Sequence, residues 1–177
     1  PIRALILSPT RELAAQIGES LTSYSRFLKT RHVVIFGGVN ENPQIRTLKN
    51  GVDVLVATPG RLLDLANRQF IDLSKVEFFV LDEADRMLDM GFVNDVKRIM
   101  KLLPSQRQNL LFSATMPSSI TSLANTFMKK PVRVEVTPQA STVDRIEQTV
   151  MYVEKTNKKH LLQWLVEEDE VERGIVF

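Results

Sequence analysis

Five short apolar runs recur along the chain, and helical patterns occupy the intervals between them. Each run is apolar at successive rather than alternate positions, which is typical of strands covered on both faces of a sheet. In the first interval, Leu13, Ile17 and Leu21 repeat at a spacing of four residues, as on one face of a helix. This alternation predicts an α/β fold with a parallel sheet, helices on both of its faces and right-handed crossovers. The runs occupy residues 4–7, 33–36, 54–57, 78–81 and 110–112.

Composition excludes several other classes of protein. With 177 residues, 44% of them hydrophobic and 25% charged, the chain fits one globular domain, or one domain and part of another. It has no cysteine and only two histidines, which argues against disulfides, thiolate sites and a structural zinc. No apolar run approaches the roughly 18 residues that span a bilayer, so we expect a cytoplasmic protein with no membrane partner. Because the net charge is only +2, any nucleic-acid binding must depend on local geometry.

The character of the sequence changes after residue 131. Valines alternate with charged residues over 132–136, which predicts an edge strand, and residues 138–145 have the composition of a linker. A strand at 150–153, a helix around Leu161 and Leu165, and a strand at Ile175 are then expected. We interpret residues 1–137 as a first domain that lacks its N-terminal part and residues 146–177 as the beginning of a second domain. The first residue, Pro1, and the apolar last four residues support the interpretation of an internal fragment.

Polar and turn residues follow each of the five runs directly. If the strands are parallel, these loops emerge at the carboxyl edge of one sheet, which is where open α/β folds bind ligands. The loops are Ser8-Pro9-Thr10-Arg11-Glu12, Gly37-Gly38, Thr58-Pro59-Gly60-Arg61, Asp82-Glu83-Ala84-Asp85 and Ser113-Ala114-Thr115.

The acidic loop carries the strongest chemical suggestion. Two adjacent carboxylates beyond a buried strand, Asp82 and Glu83, suit a hydrated Mg²⁺, and one of them could orient or deprotonate a water beside the metal. In the structural alternative, Asp82 caps the following helix and Glu83 stabilises its first turn. Taken alone, the tetrapeptide favours the structural alternative.

The other loops also allow two interpretations each. Thr58 followed by Pro59 is an ordinary helix start, but Gly60 and Arg61 could expose amides and a guanidinium to a phosphate. The loop at residues 8–11 repeats this design. The glycine pair at 37–38 could admit a ligand close to the backbone or simply form a turn, and the hydroxyls at 113 and 115 could cap a helix that begins near Pro117. Together the loops suggest an edge that grips several phosphates of a polymer beside a metal-nucleotide centre.

Four of these loops, in this order and spacing, closely resemble motifs of the DEAD-box ATP-dependent RNA helicases. They are Pro9-Thr10-Arg11-Glu12-Leu13-Ala14, Thr58-Pro59-Gly60-Arg61, Asp82-Glu83-Ala84-Asp85 and Ser113-Ala114-Thr115. The longer stretches at 80–92 and 108–115 are most similar to the bacterial RhlE-type subgroup. The resemblance extends over essentially the whole chain.

The resemblance implies two RecA-like domains that close on ATP and RNA. It implies local separation of short duplexes, with ribonucleoprotein complexes as possible targets. It implies that Asp82 and Glu83 hold Mg²⁺ through water and activate the attacking water. Asp85, Ser113 and Thr115 would couple nucleotide state to the RNA-bound conformation. The RNA backbone would be bound by Pro9, Thr10, Arg11, Gly37, Gly38, Thr58, Pro59, Gly60 and Arg61.

One departure from the family pattern bears on activity. No glycine of this chain is followed by lysine, so the phosphate loop Gly-x-x-x-x-Gly-Lys-Ser/Thr is absent from these residues. We therefore expect the intact protein to bind and hydrolyse ATP, and the 177 residues alone to do neither well. The alternative from another class is a non-catalytic RNA-binding or scaffold protein that retains the helicase fold. A DNA-stimulated ATPase fits the loops at 58–61 and 113–115 less well.

Overall fold

A computed structural model describes residues 1–136, 149–168 and 173–176. The chain divides into two compact units, Pro1–Pro131 and Val132–Phe177, which are described separately. The first unit contains five strands. They are β1 (Ala4–Leu7), β2 (His32–Ile35), β3 (Val54–Ala57), β4 (Phe78–Leu81) and β5 (Gln108–Leu111).

Six helices complete the first unit. They are α1 (Arg11–Tyr24), α2 (Asn42–Lys49), α3 (Pro59–Asn67), α4 (Ala84–Asp89), α5 (Val93–Met100) and α6 (Ser118–Asn125). No helix in the described ranges is both long enough and apolar enough to cross a bilayer.

The strands form one sheet in the order β2-β3-β1-β4-β5, and every pair is parallel. Leu55, Val56 and Ala57 are all fully buried although successive residues of a strand point to opposite faces. Both faces at the centre of the sheet are therefore covered, which is why the strands carry continuous apolar runs.

The last residues of the five strands lie in one row across the sheet. Ile35 pairs with Ala57, Ala57 with Leu7, Leu7 with Leu81, and Leu81 with Leu111. All five following loops therefore start at the same level, on the carboxyl edge. This register is what brings segments separated by up to about a hundred residues to a common surface.

Tight packing between α1 and β2 fixes one side of this arrangement. A Cβ added to Gly18 would lie 2.4 Å from Cγ2 of Val34, closer than real contacts allow. Only glycine at this position lets the helix approach the strand so closely.

The second unit contains a 3-10 turn (Lys155–Asn157) that leads into helix α7 (Lys158–Glu168). The predicted helix around Leu161 and Leu165 is thus confirmed. The predicted linker at 138–145 lies outside the described residues.

Three strands expected from the sequence are not formed among the described residues. Residues 132–136, 150–153 and the segment at Ile175 have no ladder partner among the described residues. The alternating valines, Val132, Val134 and Val136, are at least 85% exposed. Alternation makes a segment suitable for an edge strand, but a strand exists only where a neighbour supplies hydrogen bonds.

Candidate nucleotide and nucleic-acid site

The five loops lie along the carboxyl edge in the spatial order of their strands. The loops after β2, β3 and β1, at residues 37–38, 58–61 and 8–12, occupy one half of the edge. The loops after β4 and β5, at 82–85 and 113–115, occupy the other half. The two loops that carry arginine are therefore neighbours, and the acidic loop is beside the serine–threonine loop.

Asp82 is the first residue after β4. Its backbone is anchored because its amide N–H donates to the carbonyl of Leu7 at 3.0 Å. Its Oδ1 accepts from the amide of Glu83 at 3.0 Å. Partial burial raises the pKa of this carboxyl above its usual value, and the neighbouring charge of Glu83 acts in the same direction. The second oxygen, Oδ2, has no hydrogen-bond partner among the described residues.

Glu83 adopts a left-handed backbone conformation, with φ of 47° and ψ of 55°. This conformation is uncommon for a residue other than glycine and turns the chain sharply from β4 into α4. Its Oε2 accepts from Nη1 of Arg86 at 3.2 Å. The turn leaves Asp82 outside the helix, so the structural alternative in which Asp82 caps α4 is wrong.

The loop after β5 supplies the cap of α4 instead. The amide of Ala84 donates to the carbonyl of Phe112 at 3.0 Å, and the amide of Asp85 donates to Oγ of Ser113 at 3.1 Å. The Ser113 hydroxyl in turn donates to the carbonyl of Thr115 at 2.8 Å. Helix α6, by contrast, has Pro117 at its N-cap and no side-chain cap. The alternative in which Ser113 and Thr115 cap that helix is also wrong.

Asp85 closes this network from the other direction. Its Oδ2 accepts from both the amide and the hydroxyl of Thr115, at 2.9 and 2.8 Å, and its Oδ1 accepts from the amide of Arg86 at 3.0 Å. Desolvation alone would raise the pKa of Asp85. The hydrogen bonds from Thr115, Arg86 and Ser113 outweigh it, so the pKa lies below its ordinary value.

The loop after β1 leads into helix α1, but the helix begins at Arg11, two residues later than the design shared with residues 58–61 implies. Thr10 has extended backbone at the N-cap, and its Oγ1 accepts from the amide of Leu13 at 3.2 Å. Ser8 is fully buried, and its amide donates to the carbonyl of Ala57 in β3. These contacts fix the direction in which Arg11 leaves the helix start.

The loop after β3 starts α3 without a side-chain cap. Thr58 and Pro59 are buried, and the Thr58 hydroxyl makes no cap hydrogen bond. A Cβ built on Gly60 would meet no atom within 4 Å, so this turn is open to the outside. Pro59 has no N–H, so the exposed Gly60 is the first residue of α3 that can donate an amide N–H to an anion, as an anion-binding helix start requires.

Both arginines reach the loop after β2. Gly38 has a φ of 77°, and a Cβ there would lie 2.7 Å from Nη1 of Arg11. From the other side, Nη2 of Arg61 donates to the carbonyl of Val39 at 3.2 Å. The glycine pair therefore forms a turn and also admits a guanidinium against its backbone. Close approach of a ligand to this loop stays a prediction.

Gln44 is a contact of this edge that sequence reasoning missed. Its Oε1 accepts from Nη1 of Arg61 at 3.2 Å, and its Nε2 donates to the carbonyl of Phe36 at 3.2 Å. A glutamine in the first turn of a helix carries no motif that would have identified it.

The match to known proteins follows this geometry. Residues 1–123, which include all five loops, match the DEAD/DEAH box helicase family. The chain belongs to that family.

Curated relatives of this DEAD-box chain include the RNA helicase CrhR of Synechocystis, 42% identical over 177 residues. The ATP-dependent RNA helicase RhlB of a Shewanella species is 40% identical over 177 residues, and the DEAD-box ATP-dependent RNA helicase CshA of Bacillus subtilis is 42% identical over 176. Each match covers 99% of this chain but only 36–40% of the relative.

Solved structures agree with the fold. A DEAD box protein from Methanococcus jannaschii superposes with a TM-score of 0.75 at 39% identity, covering 94% of this chain and 44% of that chain. A hypothetical ATP-dependent RNA helicase from Sulfolobus tokodaii gives a TM-score of 0.69 at 38% identity, covering 73% of this chain and 39% of that one. The predicted RecA-like α/β fold is confirmed.

The acidic loop of this DEAD-box chain is better suited to a Mg²⁺ ion that keeps most of its water ligands than to a metal ion enclosed by protein side chains. The described residues contain no group of three or more His, Cys, Asp or Glu side chains that could enclose a metal. Asp82 offers one carboxylate oxygen with no protein partner in the described part of the chain, next to Glu83. Mg²⁺ commonly binds proteins through one or two carboxylates and keeps its remaining waters.

Proposed function

We propose that the intact protein is an ATP-dependent RNA helicase of the DEAD-box type. It binds the RNA backbone and unwinds short duplexes locally, coupled to ATP hydrolysis. The observation that carries this proposal is the common carboxyl edge, which presents the acidic loop on one half and the two arginine-bearing loops on the other. The names of the relatives, CshA and RhlB among them, support the same activity.

In this proposal Asp82 holds Mg²⁺ through water with its unpartnered oxygen. When bound, the metal neutralises charge on the phosphates of ATP. Glu83 accepts the proton of the attacking water, because its carboxylate lies at the turn beside Asp82 and its one protein partner, Arg86, is half exposed. The strained turn at Glu83 is consistent with a side chain that is positioned for chemistry.

Asp85, Ser113 and Thr115 couple the nucleotide to the rest of the domain. Their hydrogen bonds join the loop after β4 to the loop after β5, so a displacement of the acidic turn is transmitted to the neighbouring loop.

The RNA backbone is bound on the other half of the edge. Amides at the starts of α1 and α3 face phosphates, and the guanidinium of Arg11 or Arg61 supplies charge beside them. The residues proposed for this surface are Pro9, Thr10, Arg11, Gly37, Gly38, Thr58, Pro59, Gly60 and Arg61. Because these contacts are to phosphate and sugar, they do not select a base sequence.

We extend the proposal to the organisation of the protein. Residues 1–137 form most of a first RecA-like domain, 138–145 a linker and 146–177 the beginning of a second RecA-like domain. Similarity at 80–92 and 108–115 supports the RhlE-type subgroup. RNA within ribonucleoprotein complexes is the proposed physiological partner.

The decisive experiment uses Glu83→Gln in the intact protein. We expect RNA-stimulated ATP hydrolysis to fall by about 10²–10⁴-fold, since a general base is lost, while ATP affinity remains within about twofold. Steady-state hydrolysis and titration with a fluorescent ATP analogue measure the two quantities. Glu19→Gln, an exposed glutamate of α1 that lies outside the five loops, is the matched control.

Retained turnover in Glu83→Gln would remove the role of this residue. An intact wild-type protein that binds RNA but never hydrolyses ATP would favour the scaffold alternative. The isolated 177 residues should show no ATP-dependent unwinding, because they contain no phosphate loop.

A further inference from the structure

Arg61 in helix α3 and Arg68 at its C-cap are held in opposite ways. Arg68, at the end of the helix, is neutralised by Glu41 at 2.7 Å and Asp64 at 3.2 Å. Arg61, in the first turn, makes no ion pair among the described residues. Its two hydrogen-bond partners, the side-chain carbonyl of Gln44 and the backbone carbonyl of Val39, are both uncharged.

The consequence is a guanidinium that is fixed but not neutralised. A guanidinium has five N–H donors, and these contacts use one on Nη1 and one on Nη2. Three donors are left for an anion, and the positive charge is only partly offset by Glu41, whose carboxylate is itself paired with Arg68. Because its guanidinium is already held, Arg61 loses less side-chain conformational entropy on binding an anion than an unrestrained arginine would.

The side chain of Gln44 is chemically suited to this task. It lies half-buried in the first turn of α2, donates through Nε2 to the carbonyl of Phe36 and accepts through Oε1 from Arg61. Among side chains of the length of glutamine, only the amide both donates and accepts hydrogen bonds in this way. A glutamate could not donate to Phe36 and would neutralise the guanidinium, whereas a methionine would keep the shape and lose both hydrogen bonds.

We infer that Gln44 is a positioning residue that holds Arg61, which has no carboxylate in ion-pair contact among the described residues, toward an RNA phosphate at the carboxyl edge. The inference rests on the proposed function of Arg61 in binding RNA. Gln44 itself touches no phosphate and acts through the guanidinium that it orients.

The test compares variants of the intact protein by fluorescence anisotropy with a short labelled oligouridylate over a series of salt concentrations. The variants are Gln44→Met, Gln44→Glu, Arg61→Ala and the double variant Gln44→Met/Arg61→Ala. Gln106→Met, an exposed glutamine before β5 at the opposite edge of the sheet, is the matched control. Thermal unfolding of each variant is measured in parallel.

We expect Gln44→Met to weaken RNA binding by about three- to tenfold, as for one hydrogen bond, with an unchanged salt slope because no charge is removed. Arg61→Ala should weaken binding and reduce the salt slope by about one unit. In the Arg61→Ala background, Gln44→Met should change the affinity by less than about twofold, since the two residues act as a unit. Gln44→Glu should reproduce the reduced salt slope of Arg61→Ala.

The remaining outcomes show whether the proposed role of Arg61 or only the inference about Gln44 is wrong. If Arg61→Ala leaves RNA affinity and salt slope unchanged, the proposed role of Arg61 fails and the inference fails with it. If Arg61→Ala has its effect but Gln44→Met binds like wild type, only the inference is overturned. Additive effects of the two substitutions would show that Gln44 supports folding and not the position of Arg61.

Discussion

Asp82 and Asp85 are three residues apart in one loop, yet their surroundings differ completely. Asp85 accepts hydrogen bonds at both oxygens, from Thr115 and from the amide of Arg86, and its pKa is lowered. Asp82 has one backbone amide as a partner and partial burial that raises its pKa. The turn at Glu83 separates the two environments, because it directs Asp82 away from the loop after β5 and brings Asp85 into contact with it.

The comparison separates a carboxylate available for chemistry from one committed to structure. A partly buried carboxylate without a full set of partners destabilises the fold, and it persists where it binds something else. A carboxylate with every partner satisfied stabilises the fold and links the segments that it joins. Asp82 and Asp85 thus have opposite effects on the stability of the fold although they are only three residues apart.

The largest effect that tests this comparison is expected from Asp82→Asn in the intact protein. RNA-stimulated ATP hydrolysis should fall by at least about a hundredfold, since the oxygen proposed to hold hydrated Mg²⁺ loses its charge. The free energy of unfolding should stay the same or rise by less than about 1 kcal/mol, because an unpaired charge is removed. Hydrolysis assays and urea unfolding measure the two quantities. A clear loss of stability would mean that Asp82 has a structural role and that the comparison is wrong.

A smaller effect of opposite sign on stability is expected from Asp85→Asn. The free energy of unfolding should fall by about 1–2 kcal/mol, because the hydrogen bonds from Thr115 lose their charged acceptor. Asp89→Asn, on the exposed end of the same helix, is the control and should change stability by less than about 0.5 kcal/mol. Equal effects of the two variants in urea unfolding would show that the network around Asp85 contributes nothing.

The smallest expected effect concerns pH. The differences in the free energy of unfolding between wild type and the variants Asp82→Asn and Asp85→Asn should change with pH. The lowered pKa of Asp85 means that its stabilisation is present above its unfolded pKa and is lost as pH falls through its folded pKa, which lies below the ordinary value of an aspartate. The raised pKa of Asp82 means that its cost is present when it is ionised and disappears as pH falls through its folded pKa. Urea unfolding over a series of pH values from neutral downward should therefore show the two variants converging on wild type as the pH falls through these folded pKa values. Differences that stay constant with pH would contradict the assigned environments.

Much of the fold could be predicted because it follows from local patterns. Continuous apolar runs such as that at 54–57 occur where a sheet is covered on both faces, and parallel strands place all their carboxyl ends at one edge. The five polar loops could thus be assigned to one surface without coordinates.

The contacts between loops could not be predicted in the same way. Ser113 has the local pattern of a cap for the helix that begins after Pro117, but its hydroxyl instead accepts from Asp85, which is 28 residues earlier in the chain. A hydroxyl bonds whichever donor the fold brings within about 3 Å, and sequence proximity does not decide which donor that is.

The sequence by itself determined the class of fold, the order of the loops and the residue types at the carboxyl edge, because hydrophobic periodicity and turn chemistry act over a few residues. Only the tertiary structure decided that one oxygen of Asp82 has no partner among the described residues, that Asp85 is paired, and that Gln44 contacts Arg61. These outcomes depend on which strands are neighbours and on the row in which they end. Backbone hydrogen bonds between distant segments set both.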